Sequence, residues 1–284
     1  MSSSLFVPPV EFPGESEQRD RVPVANSVLA ALPRKDYQRL LAGSEPVTLT
    51  FGKVLYEPGQ TIRHVYFPND ALVSLLTVVA GHLALEVGMV GYEGMVGTPI
   101  ALGIDTSGVR ALVQGSGTAM RMTSARFRRE FRQCPPLQRA LYRYVHVLMA
   151  QVTQTAACNR FHKVEARLAR WLLMTRDRVR ANQFRLTQEF LAHMLGVRRV
   201  GVTTAAGALQ QRKLIHYSRG EMSILDGNGL EAASCRCYQI VRDVHEYAQG
   251  RQPNHKNSPE NATSAWAGSR RANPEPARMP SPAT

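Results

Sequence analysis

Apolar positions along this chain follow two different periods. Between residues 46 and 123 they come in short runs: Val47 to Phe51, Val54 to Tyr56, His64 to Phe67, Leu72 to Val79, Leu83 to Val90, Val109 to Val113 and Ala119 to Met122. Gly52, Gly59, Asn69-Asp70, Gly81, Gly91, Gly94, Gly97 and Gly115-Ser116-Gly117 punctuate them, as expected of short strands joined by turns. Closely spaced strands of this kind predict a β-sandwich, roll or barrel rather than a parallel α/β sheet.

The spacing then becomes helical. A short helix is predicted around Ala125 to Arg132, ending near Pro135-Pro136, followed by a long amphipathic helix to about Asn159. Leu141, Val145, Leu148, Val152, Thr155 and Asn159 alternate steps of four and three, the seam of a two-stranded coiled coil. The stripe can pack on its own β region or on a second copy. A polar Asn159 late in the seam suits register-setting between two helices, so a homodimer is expected. Residues 162–179 form another helix, with Leu168, Trp171, Leu172 and Thr175 on one face as core.

Residues 186–226 read as a DNA-reading device. Thr187 can cap a short helix whose apolar positions Phe190, Leu191, Met194 and Leu195 fall at helical spacing. Gly196 stands where that helix must end and turn, since glycine takes positive φ at little cost. A second helix is expected from about Arg199 to Lys213, with Val202, Ala205, Ala206 and Leu209 keeping its inner side small and apolar. Two short β runs, Leu214 to Tyr217 and Met222 to Leu225, flank a Ser-Arg-Gly turn. Helix, tight turn, helix and β-hairpin is the order of a winged helix-turn-helix, whose second helix suits the major groove. The same pattern would also serve an ordinary helical hairpin beside a β-hairpin.

Charge separates those two readings. Residues 160–226 hold thirteen Lys/Arg and five Asp/Glu, a net of +8 over 67 residues, whereas residues 27–124 hold seven of each sign. Most of the chain's +13 therefore sits on the reading module and the helix before it. DNA binding draws much of its affinity from phosphate neutralisation, so this placement favours duplex DNA.

Composition narrows the classes further. A length of 284 residues is enough for two cores, and no run of 18 apolar residues predicts a membrane span. Residues 1–25 have no apolar segment of signal-peptide type, so a cytoplasmic protein is expected. Residues 1–25 and 250–284 lack a sustained apolar face and are expected to be disordered tails. The stretch Gly88 to Gly97 is no phosphate-binding P-loop, because no Gly-Lys-Ser/Thr follows. Cys134, Cys158, Cys235 and Cys237 are scattered. Without a second Cys/His pair at zinc-finger spacing, the Cys235-x-Cys237 pair reads as reduced structural thiols; no metal and no cofactor are expected. Eight dispersed histidines and no nucleophile–base pair argue against an enzyme.

Over residues 27–249 the chain resembles the Crp/Fnr family of bacterial transcription regulators. The matching stretches are RLARWLL at 167–173, LTQEFLAHMLGVRR at 186–199 and LIHYSRGEMSILD at 214–226. The resemblance implies an α+β chain: an antiparallel, cyclic-nucleotide-binding-like β-roll at 26–135, a dimerisation helix at 136–160 and a winged helix-turn-helix at 161–249. It also implies a homodimer on a palindromic promoter site. The partners expected are double-stranded DNA, a second copy, RNA polymerase and an unknown small-molecule effector, with no membrane. The family places an Arg early in the recognition helix, and Arg199 fills that slot; the family's usual Glu one residue later is Val200 here. Thr187, Gln188, Arg198, Thr203, Thr204 and Arg219 complete the expected DNA-contacting set.

The sensing half departs further from the resemblance. Cyclic-nucleotide-binding relatives keep an Arg-Ser pair for the phosphate, and those slots hold Asp105 and Thr106. The ribose position falls near Met95 or Val96, which accept no hydroxyl hydrogen bond. The candidate effector pocket is Val96, Gly97, Asp105, Thr106 and Arg110, and no ordinary cyclic-AMP binding is expected. The family's oxygen sensors cluster cysteines at the N-terminus, whereas all four here follow residue 130, so no iron–sulfur cluster of that type is expected. The alternative function is a ligand-binding module whose winged helix contacts protein.

Overall fold

A computed structural model describes residues 26–78 and 84–251. The rest of both predicted tails, and the predicted turn at Gly81, lie outside the described residues. Two short helices, α1 (Ser27–Ala30) and α2 (Arg34–Ala42), lead in. Asn26 caps the first through its Oδ1 and donates its amide to the carbonyls of Pro68 and Gly94, at 2.9 and 2.8 Å.

The β-rich region forms seven strands: β1 (Glu45–Leu49), β2 (Val54–Tyr56), β3 (His64–Pro68), β4 (Leu72–Val78), β5 (Ala84–Val90), β6 (Arg110–Gly115) and β7 (Gly117–Thr123). They pair antiparallel in two sheets, ordered β1-β7-β3 and β2-β6-β4-β5. Val65, Phe67, Val73, Val90 and Val113 are buried in one core with Phe127 and Leu137. Of the sandwich, roll or barrel that the run lengths allow, this is the antiparallel roll that the resemblance implies.

Helix α3 (Ser124–Gln133) starts where Thr123 Oγ1 accepts from the amide of Arg126, and α4 (Pro135–Phe161) starts on a proline, which costs nothing at a first helical position. Two heptad stripes run along α4. Leu137, Leu141, Tyr144, Leu148, Gln151 and Cys158 are buried within the chain. Gln151 exchanges two hydrogen bonds with the backbone of Met89, each 3.1 Å. Tyr144 packs so closely over Gly94 that any Cβ there would collide with its ring. The second stripe, Tyr142, Val145, Met149, Val152 and Ala156, is exposed or half-exposed.

This corrects the predicted dimer seam. Leu141 and Leu148 belong to the chain's own β core, and the Thr155 hydroxyl is engaged by Gln151 O and Arg170 Nη2, both at 2.8 Å. The predicted seam alternated between the two stripes; Val145 and Val152 lie on the outer one, and Asn159 is half-buried.

Beyond α4 come α5 (Val164–Val179), β8 (Gln183–Arg185), α6 (Gln188–Leu195), α7 (Arg199–Gln211), β9 (Ile215–Ser218), β10 (Glu221–Ile224), α8 (Gly227–Ala233) and α9 (Cys237–Ala248). The wing has three strands, ordered β8-β10-β9, rather than the two expected. The helical core is continuous with the roll: Leu72, Leu76 and Met89 pack in one cluster with Trp171, Phe190 and Leu195. Burying such side chains contributes about 1.5–3 kcal/mol each. Two polar links reinforce this contact. Trp171 Nε1 donates to Glu86 Oε1 at 2.8 Å, and Arg178 Nε pairs with Glu93 Oε1 at 2.7 Å with both side chains nearly enclosed.

Candidate nucleic-acid interface

Thr187 ends an extended segment, and its Oγ1 accepts from the amide of Phe190 at 3.1 Å, which starts α6. Gly196 ends it at φ 60°, in the left-handed region that favours glycine. The chain turns through Val197 and Arg198 into α7. Val202, Ala205, Ala206 and Leu209 are buried, while Arg199, Val200, Thr203 and Thr204 face out, with Arg198 exposed at the N-cap. Small inner residues let α7 lie close on the core and leave its polar face free.

The outer face is internally ordered. Gln188 Oε1 accepts from Thr203 Oγ1 at 2.8 Å and from Arg199 Nε at 3.5 Å, so one side chain at the start of α6 braces two on α7. Thr203 and Thr204 also bond back to the carbonyls of Arg199 and Val200. Val200, 69% exposed, is a large apolar side chain in the middle of a polar face. At the wing tip Arg219 (φ 51°) and Gly220 (φ 85°) both take left-handed conformations, the pair needed by a two-residue hairpin turn, and Arg219 projects from it. Tyr217 anchors the wing through its hydroxyl to Leu186 O at 2.9 Å, and burial raises its pKa.

The five candidate effector residues sit in different settings. Val96 is spent in the roll core, bridged to Tyr66. Gly97 takes φ 93° against Val65 and Ile62. Tyr56 is buried behind that loop, its hydroxyl directed to Gly97 and Ser107 and its pKa pushed up to about 12 by burial. Asp105 and Thr106 are exposed; Asp105 pairs with Arg128, and Arg110 Nε pairs with Glu57 at 2.8 Å.

One grouping escaped the sequence reading. Cys158 and His162, four apart at the end of α4, meet Cys235 and Cys237 from the α8–α9 turn. The Cys-x-Cys pair thus has the second Cys/His pair that linear spacing did not supply; the helical i, i+4 spacing of Cys158 and His162 was the available signal.

Residues 166–233 match the model of the Crp-like helix-turn-helix domain. No curated protein matches the chain in sequence. Among solved structures, the c-di-GMP-responsive global regulator CLP of Xanthomonas campestris superposes with a TM-score of 0.57 at 19% identity, over 68% of this chain and 99% of that one. A CRP/FNR-family regulator from Thermus thermophilus gives 0.54 at 22% identity, over 67% and 98%. A crp/fnr-family regulator from Eubacterium rectale gives 0.53 at 15%, over 72% and 96%. Residues 166–233 are thus a Crp-like helix-turn-helix domain, carried by a chain with the fold of the Crp/Fnr transcription regulators.

Proposed function

We propose that the chain regulates transcription as a homodimer that reads a palindromic DNA site, and that its β-roll takes no ordinary cyclic nucleotide. The outer face of α7 carries the reading: Arg199, braced by Gln188, stands exposed beside Val200, Thr203 and Thr204 on a strongly basic unit. Arg is the commonest side chain on guanine edges, and an exposed Val suits a thymine methyl. Arg198, Thr187 and the wing residue Arg219 flank this face and suit phosphates.

The exposed stripe on α4, with Met149 64% and Val152 37% accessible, supports pairing with a second copy along that helix. A two-fold arrangement puts two reading helices about one DNA turn apart. RNA polymerase is the expected downstream partner. Selection of bound duplexes from a random pool tests the proposal. Recovery of a two-fold symmetric site with strongly salt-dependent affinity is expected; enrichment of no sequence would overturn it and favour a protein-contacting winged helix.

A further inference from the structure

Cys158, Cys235 and Cys237 are buried and His162 is half-buried, and all four cysteines of the chain are free thiols. One ligand atom from each of the four clustered residues lies within 4.8 Å of every other. Cys158 Sγ is 3.3 Å from Cys235 Sγ, and Cys237 Sγ is 3.6 Å from His162 Nδ1. A tetrahedral ion with bonds of about 2.0–2.3 Å needs ligand atoms roughly 3.5–3.8 Å apart, so these separations bracket a single-ion site. The groups arrive in pairs from two elements: Cys158 and His162 one turn apart at the end of α4, Cys235 and Cys237 across the turn into α9.

A second observation comes from the neighbouring helix α5. Arg167 and Arg170 are both buried, at 8% and 7% exposure, and neither is paired to a carboxylate among the described residues. Arg167 donates to the carbonyl of Leu195 and Arg170 to the hydroxyl of Thr155; the Nε of each has no partner among the described residues. Buried cations without a counter-charge are costly. Three thiolates around a divalent cation carry one net negative charge, which would offset part of the charge of the two guanidinium groups; the described carboxylate Glu86 acts on Arg170 without forming an ion pair with it.

We infer that Cys158, His162, Cys235 and Cys237 form a Cys3His site for one zinc ion, stapling the end of α4 to the α8–α9 turn at the hinge where α4 gives way to α5. Three sulfurs and one imidazole suit zinc, and four protein ligands leave no open position, so the site is structural. A multi-iron cluster would spread its thiolates farther apart than these are.

The test uses the full chain purified reduced and without chelator. Elemental analysis is expected to find about one zinc per chain, released when a mercurial blocks the thiols. Cobalt exchanged for zinc should give the visible ligand-field bands of a tetrahedral thiolate site. Cys235→Ser and His162→Gln should each lose metal or bind it far more weakly, while Cys134→Ala, altered in the distant roll core, should keep full occupancy. If the ligand variants fail to fold, cobalt uptake by wild-type protein stripped of metal decides instead. A folded, fully reduced wild type that holds no zinc and takes up no cobalt overturns the proposal. So does an isolated Cys158–Cys235 disulfide, an iron–sulfur absorbance, or zinc retained by the ligand variants.

Discussion

Trp171, on helix α5 of the Crp-like helix-turn-helix domain, donates its indole N–H to Glu86 on the fifth strand of the roll across 2.8 Å. Burial pushes the Glu86 carboxyl up to about 7, outweighing the hydrogen bonds from Ser74 and Trp171 that favour its charged form. Ser74 Oγ donates to Glu86 Oε2, 2.6 Å away, and also lies within hydrogen-bond reach of Gln114 Oε1.

The consequence is a pH-dependent contact between the two halves. The carboxyl titrates near its ordinary 4.5 when unfolded and near 7 when folded, so the native state holds the extra proton between those values. Stability is therefore greatest below pH 4.5 for this group, declines as pH rises to about 7 and is level above, by about 3 kcal/mol in all. Urea unfolding at pH 5 and pH 8 measures it. Glu86→Gln, which keeps an acceptor for Trp171, should remove this component; an unchanged slope in that variant would show that other groups carry it.

Much of this architecture is legible in the residues taken one element at a time. Thr187 and Gly196 mark the ends of α6 because capping and positive φ are local requirements, and the run lengths of 46–123 mark strands for the same reason. What the chain does not display locally is which stripe meets which surface. Helix α4 is apolar on two sides, so period alone mixes Leu141 and Leu148, buried against its own roll, with Val145 and Val152, which stay half-exposed or exposed. Likewise Leu72, Leu76 and Met89 read as ordinary strand residues, and only the fold shows them supporting Phe190 and Leu195. The pairing of Cys158 with Cys235 spans 77 residues, beyond any local pattern.

The same distinction separates two adjacent substitutions on α4. Leu148 is buried against the roll, so Leu148→Glu places an uncompensated charge in the core and should destabilise the monomer by several kcal/mol. Met149 is 64% exposed, so Met149→Glu should leave the monomer's unfolding unchanged. On the proposed seam it faces its own copy, and sedimentation should show monomers that no longer bind a palindrome. A wild type already monomeric at micromolar concentration would remove the basis for this.

Base reading is tested on α7. Arg199→Ala should relax preference at one position per half-site and cost about 1–3 kcal/mol on the preferred duplex. Gln188→Ala frees Arg199 and Thr203 without removing either, so a smaller loss of the same preference is expected. Arg219→Ala, at the wing tip, should weaken all duplexes alike and reduce the salt slope by about one unit. If Arg199→Ala leaves both affinity and preference intact, α7 is not the reading helix.

Tyr56 lies buried behind the Gly97 loop, Arg110 is committed to Glu57, and Asp105 presents a carboxylate at the surface beside Arg128. A cyclic phosphate docking here would have to displace Glu57 from Arg110 or approach Asp105. Either move sacrifices an ion pair or sets like charges together. No saturable binding of cyclic AMP or cyclic GMP is expected below about millimolar, which already corresponds to only roughly 4 kcal/mol. Calorimetry on the purified protein measures this directly. A micromolar isotherm abolished by Arg110→Ala would place the phosphate on Arg110, with Glu57 swung aside, and the slots at Asp105 and Thr106 would not be the phosphate site.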